Sequence, residues 1–159
     1  MIIIGIDWGG NTSSHSITAT KIARDYSKIQ VLSSDKLKAT GTNTKVLFSW
    51  INDFIQKIED KYGHPQGIFC DSAEQVLNNS LRSELKFNIP IIDSIKTKIK
   101  DRIEAIIRLL NSDRISFVEN DTKTCIEALK TALYDEKSKD ERWIDDGETS
   151  DIDSLDSFV

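Results

Sequence analysis

Two short apolar runs in this chain each end on an aspartate. Ile2-Ile3-Ile4-Gly5-Ile6 leads into Asp7, and Ile68-Phe69-Cys70 leads into Asp71. If the fold sets these two ends side by side, their carboxylates repel one another and one of them becomes hard to ionise unless a cation lies between them. A hard divalent ion removes that cost, because Mg²⁺ takes oxygen ligands, retains several waters and is usually held by one or two carboxylates together with substrate phosphates. Near the carboxy terminus Asp153 and Asp156 are three residues apart, so on a helix they share a face and can add a third acid. Each of these acids also has a plain structural role open to it: a turn before Gly9-Gly10 for Asp7, dipole stabilisation at a helix start for Asp153, solvent exposure for Asp156. A matched pair of strand-end acids outweighs those roles.

The elements that must position these acids follow from the periodicity of the apolar residues. Residues 2–7 are β-branched on both faces and read as a central buried strand. Residues 16–22 and 28–32 alternate with period two and read as the next two strands of an antiparallel meander. After Asn43-Thr44 the period changes: Val46, Leu47, Trp50, Ile51, Phe54, Ile55 and Ile58 describe an amphipathic helix ending near Gly63. Residues 68–71 form a further strand, 74–85 a helix and 89–92 a short edge strand. Residues 95–110 form a helix with Ile99, Ile103, Ile106, Ile107 and Leu110 inward. Residues 115–118 form a last strand, and residues 121–134 a helix with Cys125, Ile126, Leu129 and Leu133 on its core face. Residues 137–147 are polar and read as a loop or small hairpin, and Ser150 is a suitable N-cap for a final short helix. The order is βββαβαβαβα, an α/β chain.

That order, and the residues that close its strands, resemble a known family. Three antiparallel strands and a helix followed by alternating strands and helices match the ribonuclease-H-like fold, a mixed β-sheet flanked by helices in which the first and fourth strands are neighbours. Ile4-Gly5-Ile6-Asp7-Trp8-Gly9, Phe69-Cys70-Asp71-Ser72-Ala73-Glu74 and Asp153-Ser154-Leu155-Asp156-Ser157 resemble the three acidic motifs of the large terminase subunits of tailed bacteriophages, in order and in spacing. Residues 96–107 and 115–118 resemble that family's intervening segment, so the likeness runs along nearly the whole chain.

The resemblance implies a DNA endonuclease that cuts concatemeric double-stranded phage DNA during genome packaging, by phosphodiester hydrolysis with two Mg²⁺ or Mn²⁺ ions held by Asp7, Asp71 and Asp156. Asp153 stands where the family has a histidine, which leaves open whether it touches metal or acts through water. Gln75 stands where the family often has proline. The implied partners are double-stranded DNA, an amino-terminal packaging ATPase domain, the portal and the small terminase subunit, with no membrane, and the implied place is the cytoplasm of the bacterial host. No Gly-x-x-x-x-Gly-Lys-Ser/Thr phosphate loop occurs here, so the expectation is a single nuclease domain over residues 1–159, excised from its ATPase partner.

Charge bears on the DNA partner. The net charge of −5 is confined to the end of the chain: residues 144–159 hold six acids and no base, and without those six negatives residues 1–143 carry +1. Lys96, Lys98, Lys100 and Arg102 cluster at a helix start and are candidates for holding DNA phosphates, against the alternative of a solvated face. Asp93 is a rival carboxylate that, with Ser94, also suits the N-cap of that same helix. Glu74 follows Asp71 closely and suits either a metal-bound water or a helix start. Cys70 and Cys125 lie in apolar runs without CxxC spacing and read as small buried hydrophobes. His15 and His64 read as surface or turn residues. No apolar run reaches the roughly 20 residues of a membrane helix.

Three other functions compete. Gly5-Ile6-Asp7-Trp8-Gly9-Gly10-Asn11-Thr12 also resembles the phosphate hairpin of actin-like and sugar-kinase ATPase lobes. That reading needs a second Asp-x-Gly-type loop, where Asp71 is followed by Ser-Ala-Glu. A Holliday-junction resolvase shares the fold and an acidic carboxy-terminal helix. A non-catalytic docking module would use the fold without metal.

Overall fold

The structure, a computed structural model, describes residues 1–10, 13–95, 97–131 and 153–158, without the side chains of Ile99 and Asp153. Lys96, Leu133, the polar stretch 137–147, Ser150 and the acids Asp145, Asp146, Glu148 and Asp151 lie outside it.

Six strands make one mixed sheet in the order β5-β4-β1-β2-β3-β6. Strands β1 (Ile2–Asp7), β2 (Ser14–Ile22) and β3 (Ile29–Lys38) form the antiparallel meander. Strand β4 (Gly67–Asp71) runs parallel to β1, with β5 (Ile91–Ser94) parallel to it on the outside, and β6 (Ile115–Phe117) runs parallel to β3 at the other edge. The first and fourth strands are neighbours, as the element order requires of a ribonuclease-H-like sheet.

Successive side chains of a strand point to opposite faces, and β1 divides its residues accordingly. Ile2, Ile4 and Ile6 are buried in a core shared with Ile17, Ile68 and Cys70 and with helix α1 (Thr44–Tyr62). That helix starts where Asn43 Oδ1 accepts the Val46 N–H at 3.0 Å, and it stops at Gly63, whose φ of 104° suits glycine. Its buried stripe is Leu47, Phe48, Ile51, Phe54, Ile55 and Ile58, whereas Val46 is exposed. Helix α2 (Gln75–Glu84) adds Leu81 to the same core. Ile3, Gly5 and Asp7 face the other way, towards helices α3 (Ile99–Asn111), α4 (Lys123–Thr131) and the four-residue α5 (Asp153–Asp156).

Several boundaries differ from the sequence expectation. Strand β3 continues six residues beyond Leu32 because its polar residues are paired to an equally polar stretch of β2, with Ser34 opposite Thr18 and Lys36 opposite Ser16. Strand β5 starts and ends two residues later than expected. Helix α3 begins at Ile99 rather than 95 and buries Ile103 and Ile106, while Ile107 and Leu110 remain exposed. Its apolar stripe is therefore narrower than the count of isoleucines suggested. On α4 the buried residues are Cys125 and Ala128.

Candidate metal and DNA site

Pairing of β1 with β4 puts Ile6 opposite Cys70, so Asp7 and Asp71 occupy the next position on two adjacent parallel strands. Neighbouring strands lie about 4.8 Å apart, and both acids face away from the isoleucine core. They line an open cleft of about 500 Å³ whose wall also carries Thr20, Ser94, Arg102 and Asp156. The Asp71 carboxylate accepts the Ala73 N–H at 2.8 Å, which fixes the turn that leads into α2.

The third acid arrives through a close backbone approach. A Cβ on Gly5 would stand 1.9 Å from the carbonyl oxygen of Ser157, so only glycine lets the carboxy-terminal segment settle on β1 at this point. The segment is fastened by a 2.7 Å bond between Thr18 Oγ1 and Ser157 Oγ and by the fully buried Leu155. Ser154 and Ser157 are buried beside it, and Asp156 is left exposed on the cleft. The Gly5 of the first motif and the Ser157 of the last are thus two halves of one contact. The sequence hint was the small residue after Asp156, but nothing in the sequence linked it to Gly5 or Thr18.

Of the basic cluster, Arg102 lines the cleft, and its buried Nε has no hydrogen-bond partner among the described residues. Lys98 and Lys100 are exposed at the start of α3 and do not line the cleft, and Lys96 is outside the described residues. The side chain of Asp153 is outside them too.

Asp93 is neither a cleft acid nor a helix cap. Register puts Cys70 opposite Asp93 and Asp71 opposite Ser94, so Ser94 faces the cleft while Asp93 turns to the α2 side. There it meets Arg82 at 3.4 Å and Asn78 at 3.2 Å. Helix α3 starts well after Ser94, at Ile99, with Lys98 at the cap position and no side-chain cap. Glu74 is exposed at the start of α2 and does not line the cleft. Of the surface and turn roles expected of His15, the surface one does not hold, since the residue is buried: its Nδ1 accepts the Gly9 N–H at 3.1 Å and its ring meets the Trp8 ring edge-on. His64 is exposed and pairs with Glu59 at 2.7 Å. Burial pushes the thiols of Cys70 and Cys125 up to about 12, which leaves them protonated and chemically quiet.

The donor set suits a hard divalent ion: carboxylates at two adjacent strand ends and a third across the cleft. Among the described residues no group of three or more histidine, cysteine, aspartate or glutamate side chains stands ready to hold a metal ion. Mg²⁺ is usually held by one or two carboxylates, with waters and substrate phosphates completing its shell.

No protein-family profile matches the sequence, and no curated protein sequence matches it. Solved structures do. The manganese-bound nuclease domain of the large terminase of bacteriophage SPP1 is similar over 99% of this chain and 82% of its own, with a TM-score of 0.68 at 17% identity. The chain has the fold of a terminase nuclease domain. The magnesium-bound large-terminase nuclease of the thermophilic phage G20c is similar over 99% of this chain and 77% of its own, with a TM-score of 0.63 at 15% identity. The large terminase of a second thermophilic bacteriophage, in complex with ATP-γ-S, is similar with a TM-score of 0.75 at 16% identity, over 99% of this chain but 39% of its own. At these identities the terminase likeness is one of fold, and the chemistry has to be argued from the cleft.

Proposed function

We propose that this chain is the nuclease domain of a tailed-phage large terminase, a metal-dependent endonuclease that cuts concatemeric double-stranded DNA during genome packaging in the bacterial host cytoplasm. The observation that carries this reading is the placement of Asp7 and Asp71 at the ends of adjacent parallel strands, with Asp156 on the same cleft. Asp7, Asp71 and Asp156 would hold two Mg²⁺ or Mn²⁺ ions, with Asp153 acting through a bound water. Bound there, such ions activate a water and stabilise the leaving oxygen of a phosphodiester. The chain's own residues supply the rest. A divalent cation shared between the carboxylates would offset their mutual repulsion, which favours its binding there. Arg102, with an unpartnered buried Nε on the cleft wall, is suited to a phosphate oxygen of the DNA backbone. Lys98 and Lys100 would hold more distant phosphates from the solvent side, with Lys96 a further candidate. The body is only weakly basic, so affinity for DNA is low in isolation, and the ATPase domain, portal and small subunit would deliver the duplex.

No helix among the described residues is long and apolar enough to cross a membrane. The ATPase-lobe reading has no second phosphate loop to draw on, since Asp71 is followed by a turn and then by α2. The test is plasmid DNA incubated with the protein and Mn²⁺ or Mg²⁺. Nicking and linearisation with little sequence preference, abolished by EDTA, are expected. Cleavage at the same rate without metal would sink the reading, and a marked preference for four-way junctions would turn it towards a resolvase.

A further inference from the structure

The two strand ends that carry Asp7 and Asp71 are tied to each other by one buried amide on the opposite side of the sheet. Asn78 of α2 is fully buried. Its Oδ1 accepts the Trp8 Nε1–H at 2.8 Å, and its Nδ2 donates to the main-chain carbonyl of Asp71 at 2.8 Å and to Asp93 Oδ1 at 3.2 Å. Trp8 directly follows Asp7, so this side chain spans from the residue after one cleft acid to the backbone of the other. Asp93 is held in turn by Gln75 Nε2 at 3.3 Å and by Arg82, whose guanidinium also donates to the Ile91 carbonyl at 3.4 Å. The ends of β1, β4 and β5 are thereby fastened to a single face of α2.

A polar side chain this deep is costly unless every one of its groups is paired, and here both donors and the acceptor are engaged. Main-chain ladder bonds hold β1 and β4 together as far as Ile6 and Cys70. Beyond that register Asp7 still pairs with Ser16 of β2 and Asp71 with Ser94 of β5, but β1 and β4 are no longer paired with each other, and Asn78 spans the two there.

We infer that Asn78, braced by Trp8 and by the Asp93–Arg82 pair, is a positioning residue that holds the Asp7 and Asp71 strand ends at the spacing a divalent cation requires. This rests on the nuclease reading above. It also accounts for the burial of Trp8 and for the turning of Asp93 away from the cleft.

The test is calorimetric titration of Mn²⁺ into the protein without DNA, beside kcat and KM for plasmid cleavage. Asn78→Leu keeps the volume and removes all three bonds. Its Mn²⁺ affinity is expected to fall by about 10–100-fold, the usual effect of removing an outer partner of a metal ligand. Its kcat should fall at fixed metal while KM for DNA holds, and cleavage should partly recover as Mn²⁺ is raised. Trp8→Phe keeps the ring and removes one N–H, and a smaller loss in the same direction is expected. Asp121→Asn, remote from the cleft, serves as the unchanged control. Wild-type Mn²⁺ affinity in Asn78→Leu overturns the inference. If circular dichroism shows that variant unfolded, wild-type affinity in Trp8→Phe overturns it instead. A wild-type protein that binds no Mn²⁺ refutes the nuclease reading itself, and is distinguishable because no variant is then needed.

Discussion

Two acid-lined hollows lie on this domain and have opposite electrostatic designs. The cleft at the ends of β1 and β4 carries Asp7, Asp71 and Asp156 against a single cation on its described wall, Arg102. The groove between β3, α1 and the start of α4, about 440 Å³, carries Asp35, Asp53 and Asp121 against Lys57 and Lys123, with Lys61 reaching Asp121 as well. In the groove two of the acids are bound internally: Asp121 takes Lys57 at 2.9 Å and Lys61 at 2.5 Å, and Asp35 takes the Trp50 Nε1–H at 2.9 Å. Two lysines meet Asp121 there, and the result ties α1 to the loop after β6. The described lining of the cleft holds three acids and one arginine, two more formal negative charges than positive. A count of acids would rank the two hollows equally; the cations supplied beside them separate a structural cluster from a candidate metal site.

The sharpest break of that contrast is at the strand ends. Asp7→Ala and Asp71→Ala are each expected to lose more activity than the roughly 100-fold that losing an outer partner costs a metal site. Both variants should stay folded, although Asp71→Ala gives up the Ala73 N–H bond and should melt slightly lower. A thermal melt run beside the cleavage assay decides it. A variant that unfolds, with unchanged activity per folded molecule, would make that aspartate structural and the two hollows alike.

Gly5→Ala should act on the same cleft from behind. Its new Cβ meets the Ser157 carbonyl, and backbone cannot yield as a flexible side chain can. The carboxy-terminal segment then has to lift, exposing Leu155 and losing the Thr18 bond, at about 1–3 kcal/mol, the range for overpacked sites. Activity should fall with stability. Asp156→Asn should lose activity and leave stability unchanged, so the pair separates delivery of the acid from the acid itself. Full activity in Gly5→Ala would detach Asp156 from the mechanism.

These contacts mark how far the sequence could be read. Strand-end acids are legible because an apolar run stopping on aspartate has few other meanings, and their adjacency follows from the element order. Gly5 could be seen as part of a motif, but its reason, the carbonyl of Ser157 at the far end of the chain, could not. Asn78 carries a signal that was missed: it sits three residues before Leu81 and seven before Leu85, on the stripe where a helix buries apolar side chains. A polar residue on such a stripe asks for partners. Asp93 was misread because the helix after it starts at Ile99, later than the isoleucines suggest, and a one-residue register decides which face of a strand an acid occupies.

Arg102 is the cation on the cleft's described wall. Arg102→Gln keeps hydrogen-bonding capacity and removes the charge, so DNA binding should weaken and the dependence of log affinity on log salt should lose about 0.9 of slope, one phosphate's share. Lys98→Gln and Lys100→Gln, outside the cleft, should change affinity less and leave kcat alone. Salt titrations of DNA binding by the three variants measure this. An unchanged slope for Arg102→Gln would return that residue to a purely structural role.

The smallest effect is expected in the groove, and it completes the contrast because it should be indifferent to metal. Lys61 and Lys57 hold the Asp121 carboxyl at about 2, below its ordinary 3.8. A carboxylate whose folded value is depressed contributes stability that is present above the unfolded value and is lost as pH falls through the folded one. Asp121→Asn should therefore melt slightly below wild type at neutral pH, with the gap closing between pH 3.8 and about 2. The decrement is small because both lysines are half exposed and water and salt screen the pairs. The Asp121 main-chain carbonyl still accepts the Ser34 N–H at 2.8 Å, so the loop keeps its place. Added Mn²⁺ should raise the melting temperature of wild type and of Asp121→Asn alike, since a ligand that binds only the folded state stabilises it. The same addition should do little for Asp7→Ala. If Mn²⁺ instead loses its effect in Asp121→Asn, the cation is bound in the groove, and the cleft is not the metal site.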